Sequence, residues 1–226
     1  MESNRWDRLA PTTGVAAVVL WIIGAVLLFK DDPGSGAAPG EVAAHFADND
    51  GQLLLGAFLF MLGVAFFLWF VGTLRAHIAA AEGGATRTAG ILFAGGIATA
   101  SMLFGLVAPT AAGALQAQND DRPPSPSAAD ALWNLGDGFY LAAEVAAIVL
   151  VAATAVAVLR TGVFPRWVAW VSLVLAIWLL IAPIGWLALL FGVPAWTLLV
   201  SLLLWSGSGT LPSRRRAPVT PESAVP

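Results

Sequence analysis

The chain has no cysteine, a single lysine (Lys30), a single tyrosine (Tyr140) and two histidines, His45 and His77. Without cysteine there are no disulfides, thiolate metal sites, CxxC redox pairs or cysteine nucleophiles. The two histidines fall in connecting segments between the long apolar runs, so those runs supply no axial ligand for a haem and no histidine partner for an intramembrane serine nucleophile. No lysine lies beyond residue 30, which removes a Schiff-base site from the later runs. A zinc-ligand cluster, a phosphate loop and a dinucleotide fingerprint are also missing. Metal ions, cofactors and nucleic acid are therefore not expected as ligands or partners.

Charge is scarce as well. Charged residues make up 11% of the chain and apolar residues 58%, against about 25% charged in a soluble domain; mean hydropathy is +0.81. The charges are also confined. None lies between Arg8 and Lys30, between Asp50 and Arg75, or between Arg87 and Asp120. Glu144 is alone between Asp137 and Arg160, and the 47 residues between Arg166 and Arg214 carry none. A hydrocarbon core ~30 Å thick takes about 20 helical residues. The last run, ~70 Å of helix at ~1.5 Å per residue, must cross twice. The sequence thus predicts an all-α, polytopic bundle of six transmembrane helices. The spans are about 11–29, 52–74, 88–107, 132–159, 164–182 and 186–205, within a membrane domain of residues 11–208.

The connections alternate in sign. Nine of the eleven basic residues (Arg5, Arg8, Arg75, Arg87, Arg160, Arg166, Arg214, Arg215, Arg216) fall on one side. The other side has Lys30 and Arg122 among Asp31, Asp32, Glu41, Asp48, Asp50, Asp120, Asp121 and Asp130. The positive-inside rule makes the arginine-rich side cytoplasmic. Residues 1–10 and the tail 209–226, read as disordered, then both lie inside, and the expected location is a bacterial plasma membrane. Residues 13–29 form a 17-residue apolar run, longer than a usual signal-peptide core, and Glu2 and Asp7 offset Arg5 and Arg8. The run therefore reads as the first span.

Local signals fill in the connections. Residues 39–47 read as a short interfacial helix or an ordered loop. Gly83 and Gly162 are placed to stop helices, and Pro165 to start one. The third span is expected to end before Pro109, with a mobile loop over 108–129. The pair Ser127 and Asp130 reads as a capping box for the fourth helix, and Pro194 as a bend or break in the sixth. Gly90, Ala94 and Ala98 repeat every four residues, as do Gly95 and Thr99; such spacing lets helix backbones approach closely. Of the ten tryptophans, Trp6, Trp69, Trp167, Trp170 and Trp205 fall near the inner boundary, and Trp133 and Trp186 near the outer one, an aromatic belt. Trp21, Trp178 and Trp196 lie deeper, as core fillers or pocket lining. Arg75 and His77 read as interfacial anchors or as contacts for a lipid phosphate.

One helix carries unusual chemistry. Asp137, Tyr140 and Glu144 share a face of the fourth span. Asp137 belongs at the interface, and Glu144 lies roughly 10 Å further in. A carboxylate at the bilayer centre costs about 2.5–3.5 kcal/mol on insertion scales. Glu144 is accordingly protonated, reached by water, or paired with hydroxyls, for which Tyr140, Thr99 and Ser101 are the candidates. These five residues are the candidate ligand site. Three readings stay open: interhelical glue, an anchor for a ligand or proton, or a residue in an outward aqueous dip.

The stretches PTTGVAAVVL, GEVAAHFADNDGQ, FFLWFVGTLRAHIAAAEGG, AGGI and VLRTGVFPRWVAW, spread over nearly the whole chain, resemble an uncharacterised family of actinobacterial integral membrane proteins with six helices. The most specific piece is the turn ending Pro165-Arg166-Trp167. The resemblance implies a fold and a membrane location, and it carries over no catalytic residues. Two function classes follow. One is a non-enzymatic membrane subunit, scaffold or lipid-binding protein, with membrane lipids, other subunits or further copies of the chain as partners. The other is a small transporter or hydrophobic-ligand binder using Asp137, Tyr140 and Glu144.

The topology is directly testable because the chain has no cysteine of its own. Ser125→Cys should react with an impermeant maleimide from outside whole cells, and Ser213→Cys only after lysis. External labelling at Ser213 contradicts the orientation or the six-span count.

Overall fold

The computed structural model describes residues 10–34, 36–84, 87–119, 124–181 and 184–206. Residues 1–9 of the expected N-terminal segment, Pro183 and the polar tail 209–226 lie outside them. No strand occurs among the described residues. The helices are α1 (Thr12–Phe29), α2 (Pro39–Asp48), α3 (Asp50–Ala81), α4 (Arg87–Ala117), α5 (Pro126–Thr161), α6 (Arg166–Leu179) and α7 (Gly185–Trp205). Five of them, α1, α3, α4, α5 and α7, are long and apolar enough to cross a bilayer. α6 has 14 residues, ~21 Å of helix at ~1.5 Å per residue, and is shorter than the expected fifth span 164–182.

Large apolar side chains stand exposed along these helices. Val19, Ile22, Val26, Leu55, Phe58, Val145, Val174 and Ile177 are each at least 50% exposed. A protein dissolved in water rarely shows so continuous an apolar exterior, whereas lipid tails solvate it.

Neighbours in sequence are neighbours in space. α1 packs on α3, α3 on α4, α4 on α5 and α5 on α6, and α7 returns to α1, closing the ring. Glycines set the tightest of these approaches. A Cβ added at Gly24 would lie 2.5 Å from the Phe60 nitrogen, and one at Gly63 2.9 Å from the Trp21 nitrogen. α1 and α3 thus touch backbone to backbone. In the α4–α5 pair, a Cβ at Gly95 would lie 2.7 Å from the Leu150 nitrogen. Of the two small-residue registers on α4, only Gly95/Thr99 is used in this way. Gly90 and Ala94 are exposed and Ala98 half-buried, and nothing stands within 4 Å of a Cβ at Gly90.

Aromatic rings fill the interior between these seams. Trp21 meets Phe60 at 5.2 Å and Phe67 at 6.2 Å; Phe67 meets Phe70 at 6.0 Å, and Phe70 meets Trp196 edge-on at 6.1 Å. Trp196 Nε1 donates to Ser172 Oγ at 2.9 Å, tying α7 to α6. Trp21 and Trp196 are thus core fillers. Trp69, Trp167, Trp170 and Trp205 are exposed at the arginine-bearing end, and Trp186 is exposed at the other. Trp6 lies outside the described residues.

Both prolines expected to end or distort a helix stay within one. α4 continues through Pro109 to Ala117, and only residues 118–125 separate it from α5, so the expected loop over 108–129 is mostly helix. The reason is packing. Val107, Pro109, Gly113 and Ala114 are buried, and the Phe46 ring of α2 sits where a Gly113 side chain would be, 2.7 Å from its Cβ position. α7 absorbs Pro194 with a π turn over Ala188–Gly192. Val193 donates to the Ala188 carbonyl five residues back, so the ladder is rephased before the missing proline N–H. The cap of α5 is Ser125, whose Oγ accepts from the Ala128 N–H at 3.3 Å, with Pro126 opening the helix. The expected Ser127/Asp130 box is not formed; Ser127 Oγ lies 3.3 Å from Ser125 Oγ. The glycine stops hold. Gly83 and Gly162 have φ of 89° and 66°, and the Gly84 N–H returns to the Ala79 carbonyl at 2.8 Å, a left-handed helix cap.

α2 is a helix and covers the end of the bundle opposite the arginines. The Glu41 carboxylate accepts from the Ala38 N–H at 3.0 Å, and Val42, His45 and Phe46 are buried. The His45 ring stands edge-on to Trp133 at 5.8 Å. Its Nδ1 takes a 3.3 Å contact from the Asn49 amide, and its Nε2 is buried without a partner. Burial holds the imidazole below its usual range, against the opposing pull of Asp32, Asp31 and Asp48. His77 is helical too, on the last turns of α3, with its ring 5.5 Å from that of Phe164.

Two outcomes follow. Gly24→Leu should lower thermal stability in detergent by about 1–3 kcal/mol through overpacking, while Gly90→Leu should stay within about 0.5 kcal/mol of wild type; equal effects would remove the distinction between the seams. For His45, the folded state favours the neutral ring, so its contribution is full above the unfolded value near 6.5. It declines as pH falls below that value, because the unfolded chain takes up the proton more readily. Melting temperature should therefore drop between pH 7.5 and pH 5.5, and His45→Gln should flatten the drop.

Candidate functional site

Helical periodicity puts Asp137, Tyr140 and Glu144 on one side of α5, and the structure separates their roles. Asp137 is exposed. Tyr140 is half-buried, and its hydroxyl donates to the Trp186 carbonyl at 2.6 Å, not to Glu144. Glu144 is 4% exposed. Its carboxyl rests on Gly185: a Cβ there would lie 2.9 Å from Oε2 and 3.1 Å from both Cδ and Oε1. Glycine at 185 is the condition for this contact, and Gly185 itself is buried.

Gly185 opens α7. The Glu144 carboxyl therefore sits at a helix N-terminus, where backbone N–H groups point outward and the helix dipole favours negative charge. Tyr140, one turn up α5, holds the next residue of that same first turn through its carbonyl. Together the two side chains clamp the start of α7 to the middle of α5. The clamp supplies interhelical polar contact without a cation.

The two other candidates lie elsewhere. Thr99 is fully buried on α4, and its hydroxyl donates to the Gly95 carbonyl of its own helix at 2.8 Å. Ser101 is exposed and faces away from the Gly95/Thr99 seam. Neither is brought to Glu144. Gly185 falls just ahead of the expected sixth span 186–205, and nothing local in the sequence marks it as a partner for Glu144.

The larger cavities are lined by other residues. One of about 880 Å³ opens beside Pro11, Trp69, Gly72 and His77, and one of about 440 Å³ lies among Glu82, Arg87, Thr88 and Arg160. Apolar crevices of about 310 and 180 Å³ border Trp178 and Trp196 and Trp21 and Phe191. Next to Tyr140 there is about 10 Å³, too little for more than a water. Among the described residues, no three His, Cys, Asp or Glu side chains converge as metal ligands would. No family model, curated protein or solved structure matches the chain.

The clamp predicts a specific coupling. Gly185→Ala should cost about 1–3 kcal/mol by pushing the methyl into the carboxyl, and Glu144→Ala should relieve most of that cost. Simple addition of the two single effects in thermal unfolding would mean that the carboxyl is not seated on Gly185. Tyr140→Phe should cost about 0.6 kcal/mol and no more than about 1.7 kcal/mol, the mean and maximum for interhelical hydrogen bonds in a membrane bundle.

Proposed function

We propose that this chain is a six-span protein of the bacterial plasma membrane, with α6 as the fifth crossing and both termini in the cytoplasm. It serves as a non-enzymatic membrane component: a subunit, a scaffold or a lipid-binding protein. The apolar exterior and five spanning-length helices support the membrane setting, and the segregation of arginines supports the orientation. The resemblance to actinobacterial six-helix proteins agrees with both.

The observation that carries the non-enzymatic reading is how Glu144 and Tyr140 are used. An intramembrane carboxylate is a functional candidate by default. Here the carboxyl is packed on Gly185 and the phenol is engaged by the Trp186 carbonyl, and the crevice that touches Tyr140 holds about 10 Å³. That arrangement joins α5 to the start of α7. The transporter or ligand-binder reading draws support from the π turn of α7, since π turns concentrate at functional sites, and from its position one turn past the clamp.

Glu144→Gln and Glu144→Leu separate the two. In the structural reading Gln is tolerated and Leu lowers the melting temperature of the protein in lipid nanodiscs. In the ligand reading Leu leaves melting unchanged or raised and abolishes a small molecule that co-purifies with wild type and is seen by mass spectrometry. The second pattern overturns the proposal.

A further inference from the structure

At the arginine-bearing end, three helix ends enclose a polar cleft of about 440 Å³, lined by Ala81 of α3 and Glu82 just beyond it, Arg87 and Thr88 from α4, and Arg160 and Thr161 from α5. Arg160 Nη1 donates to Thr88 Oγ1 at 3.3 Å, which uses one of the five N–H donors of its guanidinium and holds the side chain over the cleft. The Thr161 hydroxyl is occupied, donating to the Ala157 carbonyl at 2.7 Å and accepting from the Val163 N–H at 3.2 Å. Arg87 is the first residue of the 31-residue α4, so the positive end of that helix dipole adds to the same field. Two arginines and one carboxylate, Glu82, line the cleft. The cleft therefore favours an anion, and planar guanidinium forks suit phosphate oxygens.

What lies below the cations narrows the anion. On α4, Gly90, Ile91 and Ala94 follow Arg87 at three, four and seven residues, on one face, and all three are exposed. On α5, Val156 precedes Arg160 by four and is 45% exposed; Val149 lies two turns deeper and is 42% exposed. Because Gly90 and Ala94 have almost no side chain, this strip of α4 forms a shallow apolar trough leading away from the arginines into the lipid-facing surface. A charged head with apolar chains matches both parts, whereas a free phosphate uses only the first.

We propose that the Arg87–Arg160 cleft binds the phosphate head of an anionic phospholipid, whose acyl chains lie along Gly90, Ile91 and Ala94 of α4 and Val156 of α5. The inference rests on the membrane setting and gives the lipid-binding reading a site, but it is independent of the Glu144 clamp, so Glu144 variants leave it unchanged.

The test uses the full-length protein in detergent, titrated with phosphatidylglycerol, phosphatidylcholine or inorganic phosphate, with bound lipid counted by native mass spectrometry. Phosphatidylglycerol should be retained in preference to phosphatidylcholine. Arg87→Gln and Arg160→Gln should each weaken that retention about fivefold, the factor given by ~1 kcal/mol per basic residue near an anionic lipid. Arg75→Gln and Arg166→Gln, at the same end but outside the cleft, should change it less than about twofold. Gly90→Trp, which fills the trough, should weaken lipid retention without moving the melting temperature. Equal loss in all four arginine variants would mean a diffuse surface field and overturn the site. So would retention unaffected by Arg87→Gln, whose exposed position keeps the test decisive if Arg160→Gln fails to fold. Displacement of the lipid by inorganic phosphate at comparable concentration would make this a phosphate site and overturn the lipid assignment.

Discussion

The contact between α1 and α3 at Gly24 and Gly63 sets the scale for the bundle. In hydrocarbon there is no hydrophobic gain from bringing two apolar helices together, because lipid tails solvate leucine as well as another helix does. Association then depends on how closely the backbones approach and how many dispersion contacts result. Gly24 and Gly63 let the main chains of α1 and α3 touch, and Gly95 does the same for α4 and α5. With those distances fixed, the volume between the pairs is fixed too. The rings of Trp21, Phe60, Phe67, Phe70 and Trp196 occupy it in tilted and edge-on contacts, each a favourable aromatic geometry.

The second constraint is that every backbone polar group at membrane depth must find a partner inside the protein. This explains why both interior prolines sit in continuous helices. Breaking α4 at Pro109 or α7 at Pro194 would strand several carbonyls, while carrying the helix through sacrifices one hydrogen bond at each. The π turn of α7 rephases the ladder so that the proline falls where the loss is least. The same rule makes the start of α7 a demanding place. Its first N–H groups have no partners within the helix, and a carboxyl from α5 stands beside them. Glu144 packs its carboxyl against that helix start, on the surface that Gly185 leaves bare.

Much of this was readable from residue order. The charge-free runs predicted six spans, and five helices are long and apolar enough to cross; Gly83 and Gly162 marked helix ends, and the short helix read over 39–47 runs over Pro39–Asp48. Glu144 stood out as the charge within a span. The rest needed tertiary information. Nothing local distinguishes Gly95, against Leu150, from Gly90, which faces outward; the two registers have the same spacing and differ only in where α5 lies. The extension of α4 past Pro109 depends on Phe46 seating against Gly113, a contact across more than sixty positions. The short α6 was obscured because an apolar run gives no internal mark of where a helix stops. The partners of Tyr140 and Glu144 were missed because they are backbone atoms, a carbonyl and the start of a helix, and backbone carries no residue identity to read.

The π turn also fixes how α7 is phased. Five residues occupy a turn that normally takes fewer than four, so the chain after Gly192 is rotated by roughly 100° relative to an uninterrupted helix. Upstream, Gly185, Ala188 and Leu189 face inward; downstream, Val193, Trp196, Thr197 and Val200 do so. The turn behaves like a one-residue insertion stored inside the helix. Deleting one residue between Ala188 and Gly192 would turn the π turn into an ordinary α turn and leave Trp196 on Ser172, whereas the same deletion elsewhere in α7 would swing every residue beyond it by roughly 100°. A one-residue alignment gap placed here would therefore signify loss of the π turn with both the helix face and the span length retained.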